Sequence, residues 1–395
     1  MRQFVLAVTL SPLALLASCG NAASGDSAQT QSTPAPSETV SVSSGRDLNS
    51  QDYGSFDEPW AAAFAPGTDV LFITEKGGTI QFVDTTTRKR GSVTGAPQVD
   101  YGGQGGLGDI AFLPSEAAAG LERRTIYLSW AEAGDGDTRG AVVGRGTMVC
   151  QQADACTIEG LKVIWRQAPK VTGRGHYSHR IAFSPDEKYL FIASGDRQKM
   201  EPAQDTSNNL GSIVRLNLDG SPAAGNPLAS EGGISAQLWS WGHRNILGLQ
   251  FDAQGRLWDL EHGPAGGDEL NLVKAGANYG WPEVSGGDHY DGKPIPDNST
   301  SDRFVKPAVN WTPVIAPGDY IFYSGDLFAD WKGAAVIAAM KPSGLVVVET
   351  DGETARETQR IPFEKRLRAI VQGRDGAIWV LEDKEGGRLL KLTPG

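Results

Sequence analysis

The chain has 395 residues and a formal net charge of −11, from 36 Lys and Arg against 47 Asp and Glu. This length suits one large domain or two ordinary ones. The acidic balance argues against a nucleic-acid partner, because binding to phosphates requires a basic surface. Gly and Trp are frequent, at 50 and 10 residues, which favours short strands and tight turns.

Residues 1–19 are predicted to be a lipoprotein signal peptide. Arg2 precedes the apolar run F-V-L-A-V-T-L-S-P-L-A-L-L, which is too short for a membrane span and has the form of a signal h-region. The run ends in L-A-S-C, which resembles the bacterial lipobox and predicts lipidation of Cys19; the alternative is an ordinary signal peptide with an unrelated Cys. Because no Asp follows Cys19, this resemblance implies an exported, periplasmic protein, anchored to the outer membrane only through its lipid.

Residues 20–50 are rich in Ser, Thr, Gln, Ala and Pro. Such a segment buries too little apolar surface to fold, and we expect a flexible tether. The folded domain is therefore predicted to span residues 51–395. The tether would join this domain to the lipid anchor.

Two further cysteines, Cys150 and Cys156, flank the segment Q-Q-A-D-A. This segment is a candidate hairpin, and an exported protein folds in an oxidising compartment, so a local disulfide is expected. The alternative is a pair of metal ligands, but no further Cys and no nearby His supports it.

A repeated pattern runs through the folded domain: an apolar strand ending in Phe or an equivalent, a turn with Pro, Asp or Gly, and a second apolar strand. The segment R-I-A-F-S-P-D-E-K-Y-L-F-I-A-S is a clear copy. The anchor positions of the six copies are Phe64, Phe112, Phe183, Phe251, Phe322 and Val371. These copies predict an all-β fold, a six-bladed β-propeller; a two-domain β-sandwich is the alternative. The last copy lacks a fourth strand, which residues just after the tether are expected to supply.

The stretch Y-G-G-Q-G-G-L-G-D-I-A-F has the G-x-G-x-x-G spacing at Gly103, Gly105 and Gly108. In dinucleotide-binding proteins this spacing requires a strand before it and a helix after it. Here it leads into D-I-A-F-L-P, a predicted strand. We therefore interpret the glycines as a place where the backbone approaches a ligand closely.

Candidate chemistry begins at the third copy, where G-R-G-H-Y-S-H-R-I-A-F carries His176 and His179. On an extended strand, residues three apart point to opposite faces, so a shared metal is not expected. His176 is a candidate general base. The alternative is a structural, hydrogen-bonded His.

The fourth copy begins with G-H-R-N-I-L-G-L, which is followed by E-H-G-P-A-G-G-D-E-L-N-L. Turn carbonyls and the carboxylates of Asp268 and Glu269 suit a hard cation such as Ca²⁺, although EF-hand spacing is absent. Lys341, Arg366 and Arg368 occupy matching places in later copies. Converging cations imply an anionic ligand; the alternative is solvated surface charge.

The chain is similar to the soluble aldose sugar dehydrogenases that depend on pyrroloquinoline quinone (PQQ), the glucose/sorbosone dehydrogenase family of six-bladed propellers. The resemblance covers roughly residues 50 to 393, and its most specific segment runs from G-H-R-N to Y-G-W-P, with Q-G-G-L, H-Y-S-H-R-I-A-F-S-P-D and K-R-L-R-A-I in support. It implies a PQQ- and Ca²⁺-dependent oxidation of aldoses at C1 to the lactone. The resemblance leaves the preferred sugar and the electron acceptor open.

Roles carried over by position follow from this resemblance. His176 is implied to be the general base, and Arg244 to stabilise the oxyanion. The implied PQQ contacts are Gln104, Arg244, Asn245, Lys341, Arg366 and Arg368. The implied Ca²⁺ ligands are the backbone carbonyls of Gly263 and Pro264 at the cofactor, and Glu269 with the carbonyl of Tyr279 at a second, structural ion.

Two positions depart from the family's pattern. His179 is bulky where the family usually has small residues, so it either points outward or reshapes the sugar pocket. Ala369 follows Arg368 where many relatives carry Asp, which puts the support of that arginine in question. Two other functions stay open: a propeller that only binds a ligand, and a Ca²⁺-dependent, lactonase-like hydrolase.

Overall fold

A computed structural model describes residues 38–40 and 47–395. The predicted signal peptide, Cys19 and most of the predicted tether lie outside the described residues. Within the described part the fold is all-β, as predicted, and contains no α-helix. Its helical turns are short 3₁₀ segments at Pro114–Glu116, Glu201–Gln204, Ala229–Glu231, Ser235–Gln237, Asn298–Thr300 and Ala329–Trp331. A search of these same residues finds no helix with the length and apolarity needed to cross a membrane.

The first ten strands include two four-stranded antiparallel sheets that join into one. In chain order the strands are β1 (Glu38–Val40), β2 (Leu48–Phe56), β3 (Pro59–Phe64), β4 (Val70–Glu75), β5 (Thr79–Asp84), β6 (Arg90–Thr94), β7 (Leu107–Phe112), β8 (Arg123–Ala133), β9 (Arg139–Gln152) and β10 (Ala155–Arg166). Strands β3–β6 and β7–β10 each form an antiparallel sheet, and a parallel pairing of β6 with β10 makes them one sheet of eight strands.

Later strands form further four-stranded sheets. They are β11 (Ser178–Phe183), β12 (Tyr189–Ser194), β13 (Ser212–Asn217), β14 (Leu238–Trp241), β15 (Ile246–Phe251), β16 (Leu257–Glu261), β17 (Ala265–Gly266), β18 (Asp268–Leu272), β19 (Gly287–Asp288), β20 (Val309–Trp311), β21 (Pro317–Phe322), β22 (Ala335–Met340), β23 (Ser343–Asp351) and β24 (Thr354–Pro362). The sheet orders are β11-β12-β13-β14, β15-β16-β18-β20 and β21-β22-β23-β24, while β17 and β19 pair separately.

The last sheet combines both ends of the described chain. Strands β25 (Leu367–Gln372), β26 (Ile378–Glu382) and β27 (Gly387–Pro394) are completed by β2, which pairs antiparallel with β27. The expectation that early residues supply the missing fourth strand is therefore confirmed. The prediction of a flexible tether over residues 20–50 is wrong at two places, because β1 lies within that range and β2, with which it pairs, begins there at Leu48.

The predicted anchors fall on six strands, β3, β7, β11, β15, β21 and β25. We call these the first strands, because each begins one copy of the repeated pattern. Each anchor lies at or next to the last residue of β3, β7, β11, β15, β21 or β25. These first strands contact one another in that order, and β25 also contacts β3. Apolar clusters fill the space between neighbouring sheets. Alternate residues of a strand point to the same face of its sheet, so Ile80 and Phe82 of β5 are buried together in one of these clusters.

Arg180, on β11, links four of the first strands near the middle of the ring. Its Nε donates to the carbonyl of Leu247 at 2.6 Å, and its Nη2 donates to the carbonyl of Gly318 at 2.8 Å. Its Nη1 lies 3.3 Å from Asp109 and 3.6 Å from Asp319. Burial raises the pKa of Asp319 to about 7, although the Arg180 charge opposes this shift. The sheets therefore meet at a buried ionic cluster.

The hairpin predicted around the later cysteines is present. Strands β9 and β10 pair antiparallel, with Cys150 opposite Cys156. A disulfide joins the two residues. Both cysteines belong to the apolar cluster between the first two sheets.

Candidate active site

A cavity of ≈ 350 Å³ lies where the first strands begin. The predicted site residues among its lining are Gln104, Asn245, Arg366 and Arg368. Lys76 and Lys384 add two cations that the sequence analysis missed. Against these four cationic groups stand two carboxylates, Glu58 and Asp383. The lining therefore has a net positive charge, which suits an anionic ligand.

His176 forms a buried pair with Asp196. Its Nδ1 lies 2.7 Å from Asp196 Oδ1, which also accepts from the backbone N–H of Gln198 at 2.8 Å. Trp281 Nε1 donates to the other carboxylate oxygen at 2.8 Å. Burial acts to raise the pKa of Asp196, but the hydrogen bond from His176 and the other contacts outweigh it, and this pKa lies below its usual value. An ionised carboxylate only accepts, so Nδ1 of His176 carries the proton and Nε2 of the neutral ring is an acceptor.

Burial lowers the pKa of His176, while Asp196 opposes the shift and the positive charge of Arg244 adds to it. The ring is therefore neutral at neutral pH and able to accept a proton. Among the described residues no hydrogen-bond partner occupies its Nε2. These are the properties of a general base.

The backbone around His176 is not extended. His176, Ser178 and His179 have φ values of 48°, 58° and 55°, which non-glycine residues adopt at a cost. The expectation that His176 and His179 lie on one extended strand is therefore wrong, because β11 begins only at Ser178. Within the described residues, the group of three or more side chains with metal-ligand geometry is His243, Asp259 and Glu261.

Gln104 supports this bend, since its Oε1 accepts from the His176 backbone N–H at 2.7 Å. Gly103 has a φ of 58°, and a Cβ there would come 2.6 Å from the Arg174 carbonyl oxygen. Gly103 and Gly105 precede β7 and Gly108 lies within it, so a strand and not a helix follows the spacing, and the dinucleotide-binding interpretation is excluded. The Q-G-G-L turn instead brings Gln104 to the cavity.

Arg244 and Asn245 lie immediately before β15. The Arg244 backbone N–H donates to Glu261 at 2.6 Å, and its Nη1 donates to the His262 carbonyl at 3.0 Å. Its buried Nε has no partner in the described structure. Asn245 lines the main cavity and is nearly fully buried. Arg244 thus has a buried donor still available for a ligand.

The loop after β16 forms a turn rich in carbonyls. A Cβ on Gly263 would come 2.1 Å from the Gly266 carbonyl oxygen, so only glycine fits. Asp268 ties the turn together by accepting from the Gly263 N–H at 2.9 Å. Burial raises the pKa of Asp268 to about 6. The buried Pro264 continues this turn.

A second, narrow cavity brings Glu269 and Tyr279 together, with Gly263 and Glu261 also in its lining. Burial and the nearby charge of Glu261 raise the pKa of Glu269 to about 8. Asn298 donates to Glu269 at 3.0 Å. Three buried oxygens in this region have no hydrogen-bond donor in the described structure: Asp259 Oδ2, Asn271 Oδ1 and Asn298 Oδ1.

The predicted cations divide into two groups. Arg366 and Arg368 line the cavity, and each donates from Nε to Asp383, at 2.7 and 2.8 Å. Asp383 thus gives Arg368 the support that Ala369 does not offer. Lys341 is exposed and is not among the lining residues, although it directly follows Met340, which is.

Several residues of the site carried no signal that the sequence analysis used. Asp196 lies in the S-G-D-R segment after β12, and Asp383 follows β26. Each contacts its partner across the paired ends of two neighbouring strands of one sheet, β11 with β12 and β25 with β26. A carboxylate at the end of a strand was the available signal, but nothing in the spacing pairs it with His176 or Arg368.

Comparison with known proteins identifies the family. The sequence pattern of the Glucose / Sorbosone dehydrogenase family matches residues 56–391. The aldose sugar dehydrogenase of Escherichia coli K12 is 34% identical over 343 residues, covering 86% of this chain and 90% of that protein.

Solved structures agree with this match. The apo-form of the soluble aldose sugar dehydrogenase from Escherichia coli has a TM-score of 0.81 at 33% identity, covering 88% of this chain and 100% of that one. The PQQ-bound form of the aldose sugar dehydrogenase from Streptomyces coelicolor has a TM-score of 0.70 at 26% identity, covering 92% of this chain and 100% of that one. The chain therefore belongs to the glucose/sorbosone dehydrogenase family and is an oxidoreductase that acts on the CH–OH groups of sugars.

Proposed function

We propose that this protein is a PQQ- and Ca²⁺-dependent dehydrogenase that oxidises aldoses at C1 to the lactone. The observation that carries the proposal is the buried His176–Asp196 pair. His176 is not itself among the lining residues of the cationic cavity, but it directly precedes Tyr177 and Ser178, which are. The PQQ-bound relative supports the choice of cofactor. The sequence-based roles of the site residues are retained as part of this proposal.

The propeller fold, the export signal and the lipid anchor form a second part of the proposal. Six first strands, each in contact with the next, support a six-bladed β-propeller. This domain begins with β2 at Leu48, slightly before the predicted range 51–395. We keep residues 1–19 as a signal peptide, residues 20–50 as a largely flexible tether, and Cys19 as the lipid anchor at the outer membrane.

The cavity fits PQQ, a flat tricarboxylate. Its volume of ≈ 350 Å³ falls within the range of about 300–1,000 Å³ usual for small-ligand sites. Arg366 and Arg368 line it. Arg244, whose buried Nε has no partner in the described structure, lines the second cavity and directly precedes Asn245 in the lining of the first. Lys341, which is exposed and directly follows the lining residue Met340, would add a charge that is more open to solvent. These residues together would hold the cofactor's anionic groups.

Bound PQQ supplies a quinone that accepts a hydride from the sugar. His176 takes the proton from the C1 hydroxyl on Nε2, and the resulting imidazolium is stabilised by Asp196. Asp196 also orients the ring, since it accepts the Nδ1 proton. Arg244 places positive charge where negative charge develops on oxygen. The bend that begins at His176 positions the base beside Gln104 and the cavity.

The residues present also fit Ca²⁺. Gly263 and Pro264 offer backbone carbonyls near Arg244, as oxygen ligands for an ion at the cofactor. At the second cavity the pKa of Glu269 is raised, and nearby buried oxygens have no hydrogen-bond donor in the described structure. Both observations indicate that no positive charge balances these oxygens. A cation there, held by Glu269 and the Tyr279 carbonyl, would offset the burial of the carboxylates.

The test uses the chain without residues 1–19. Wild-type protein is titrated with PQQ in the presence of Ca²⁺, and dye reduction is then followed with a panel of aldoses. Binding followed by aldose-dependent dye reduction is expected. PQQ binding without turnover would indicate a protein that only binds, and lactone hydrolysis without PQQ would indicate the hydrolase alternative.

The variant His176→Ala separates catalysis from binding. It should retain PQQ and lose about 10²–10⁴-fold in kcat, which is the usual contribution of a general base. Undiminished turnover in this variant would refute the role assigned to His176.

A further inference from the structure

His179 is a buried imidazole in the wall of the cofactor cavity. Only 1% of its surface is exposed, and it lines the cavity beside Tyr177 and Asn245. Its ring stacks on Trp60 with 4.9 Å between centroids and an interplanar angle of 10°. The ring orientation is therefore held by packing, and of the two alternatives left by the sequence, the outward one is wrong.

The space that His179 occupies exists because residue 108 is glycine. A Cβ at Gly108 would lie 1.8 Å from His179 Cε1 and 2.2 Å from its Nδ1. Any side chain there would displace the imidazole, since real Cβ contacts are never this short. Gly108 and His179 therefore depend on each other.

Hydrogen bonding determines which ring nitrogen carries the proton. Ser129 Oγ accepts from the Asp109 backbone N–H at 2.7 Å and lies 2.7 Å from His179 Nδ1. Its own hydroxyl proton has one acceptor within reach in the described structure, His179 Nδ1. Ser129 therefore donates to Nδ1, and the neutral ring carries its proton on Nε2.

The His179 ring is neutral at neutral pH, because burial and the charge of Arg180 lower the pKa of His179 to about 3. In the described part of the chain Nε2 has no hydrogen-bond partner, yet it is not among the fully enclosed polar atoms. The open space next to this ring is the cavity. An uncharged N–H donor thus borders the site proposed for the cofactor.

We propose that His179 is a further cofactor-binding residue, whose Nε2–H donates a hydrogen bond to PQQ, and that Gly108 and Ser129 position it. The inference rests on the proposed function. It adds a neutral, directional donor to a site that already holds cationic groups and the amides of Gln104 and Asn245. The family usually has a small residue at this position, so the contact would be a property of this chain.

The test measures PQQ affinity and the visible absorption of bound PQQ in protein loaded with Ca²⁺. His179→Ala should weaken PQQ binding about tenfold, the effect of one buried hydrogen bond to an acceptor that carries negative charge. It should also shift the absorption band of the bound quinone. Ser129→Ala removes the hydrogen bond that keeps the His179 proton on Nε2. It should therefore change the PQQ affinity and the absorption band in the same direction as His179→Ala, by a smaller amount.

Two further variants, Gly108→Ala and its combination with His179→Ala, separate the loss of the hydrogen bond to PQQ from the effect of altered packing. Gly108→Ala alone should lower the melting temperature and weaken PQQ binding, because its methyl displaces the imidazole. Gly108→Ala combined with His179→Ala should recover the melting temperature, since the methyl enters vacated space, while PQQ binding stays weak.

Two results would be decisive against the proposal. If the double variant binds PQQ with wild-type affinity and spectrum, His179 only fills space and the assignment is overturned. If wild-type protein itself fails to bind PQQ, the proposed function is what fails. The two failures are therefore distinguishable in a single titration series.

Discussion

Replacing Asp196 by Asn probes how His176, the proposed general base, is held. The carboxylate accepts three hydrogen bonds: from His176 and the Gln198 backbone on one oxygen, and from Trp281 on the other. An asparagine has a single oxygen. In one orientation its NH₂ group faces the indole N–H, and in the other it faces the Gln198 N–H.

Either orientation leaves one buried donor unpaired, so stability should fall by about 1–3 kcal/mol. The charge that stabilises the imidazolium is also lost, and the second orientation forces the proton of His176 onto Nε2. We therefore expect kcat to fall by about 10²-fold or more, toward the full contribution of a general base. Chemical denaturation and steady-state dye reduction measure the two effects.

The pH profile adds an independent check. Burial lowers the pKa of His176 and Asp196 raises it, so removing the carboxylate lowers this pKa further. Activity is lost as pH falls and the ring is protonated. The acidic limb of kcat, already below the ordinary histidine value of about 6.5, should move to still lower pH in Asp196→Asn.

A second substitution distinguishes the orientations. In the background of Asp196→Asn, Trp281→Phe removes the indole donor and lets the amide oxygen face His176, so part of kcat should return. Trp281→Phe alone is the control. The reasoning is wrong if Asp196→Asn loses stability but keeps kcat within about twofold of wild type, a margin far smaller than a general base supplies.

Three other substitutions address the remaining assignments. Lys341→Ala should weaken PQQ binding, and more at low than at high salt, because an exposed charge is screened; a salt-independent effect in a titration series would contradict this. Glu269→Gln should abolish the rise in melting temperature that Ca²⁺ gives the wild type, and an unchanged Ca²⁺ response in a thermal scan would remove Glu269 from the ligands. Arg180→Met should cost about 3–5 kcal/mol in denaturant unfolding, since it leaves its carboxylate partners buried and unpaired; a loss below about 1 kcal/mol would show that the ionic cluster contributes little.

Local patterns made much of the fold predictable. The alternation of buried residues and the recurrent Phe at strand ends depend only on neighbouring residues, so Phe64, Phe112 and the other anchors fell on the first strands of the sheets. The fourth strand of the last sheet was predictable from counting strands in the copies. The position of β1 was not, because three residues in a polar segment carry no such pattern.

The site was predictable where a motif places a residue at a strand start, as for Gln104 and Asn245. It was not predictable where the backbone bends, or where a contact depends on the exact register of two paired strands. His179 points inward because residues 176, 178 and 179 leave the extended region. Asp383, just after β26, reaches Arg366 and Arg368 because β25 and β26 pair with Leu367 opposite Glu382, a register that the sequence pattern did not define.

The pairing of β2 with β27 has a consequence for the order of assembly. Leu48 pairs with Pro394, and Asn49 with Thr393, so the last sheet needs residues separated by nearly the whole chain. Such distant pairings form late, because their loop closure is entropically costly. A ribosome or a translocation pore that delivers the amino-terminal part first therefore releases an open arc, with β25 and β3 still apart. The cofactor cavity, whose wall includes Trp60 and Arg368, exists only after that arc has closed.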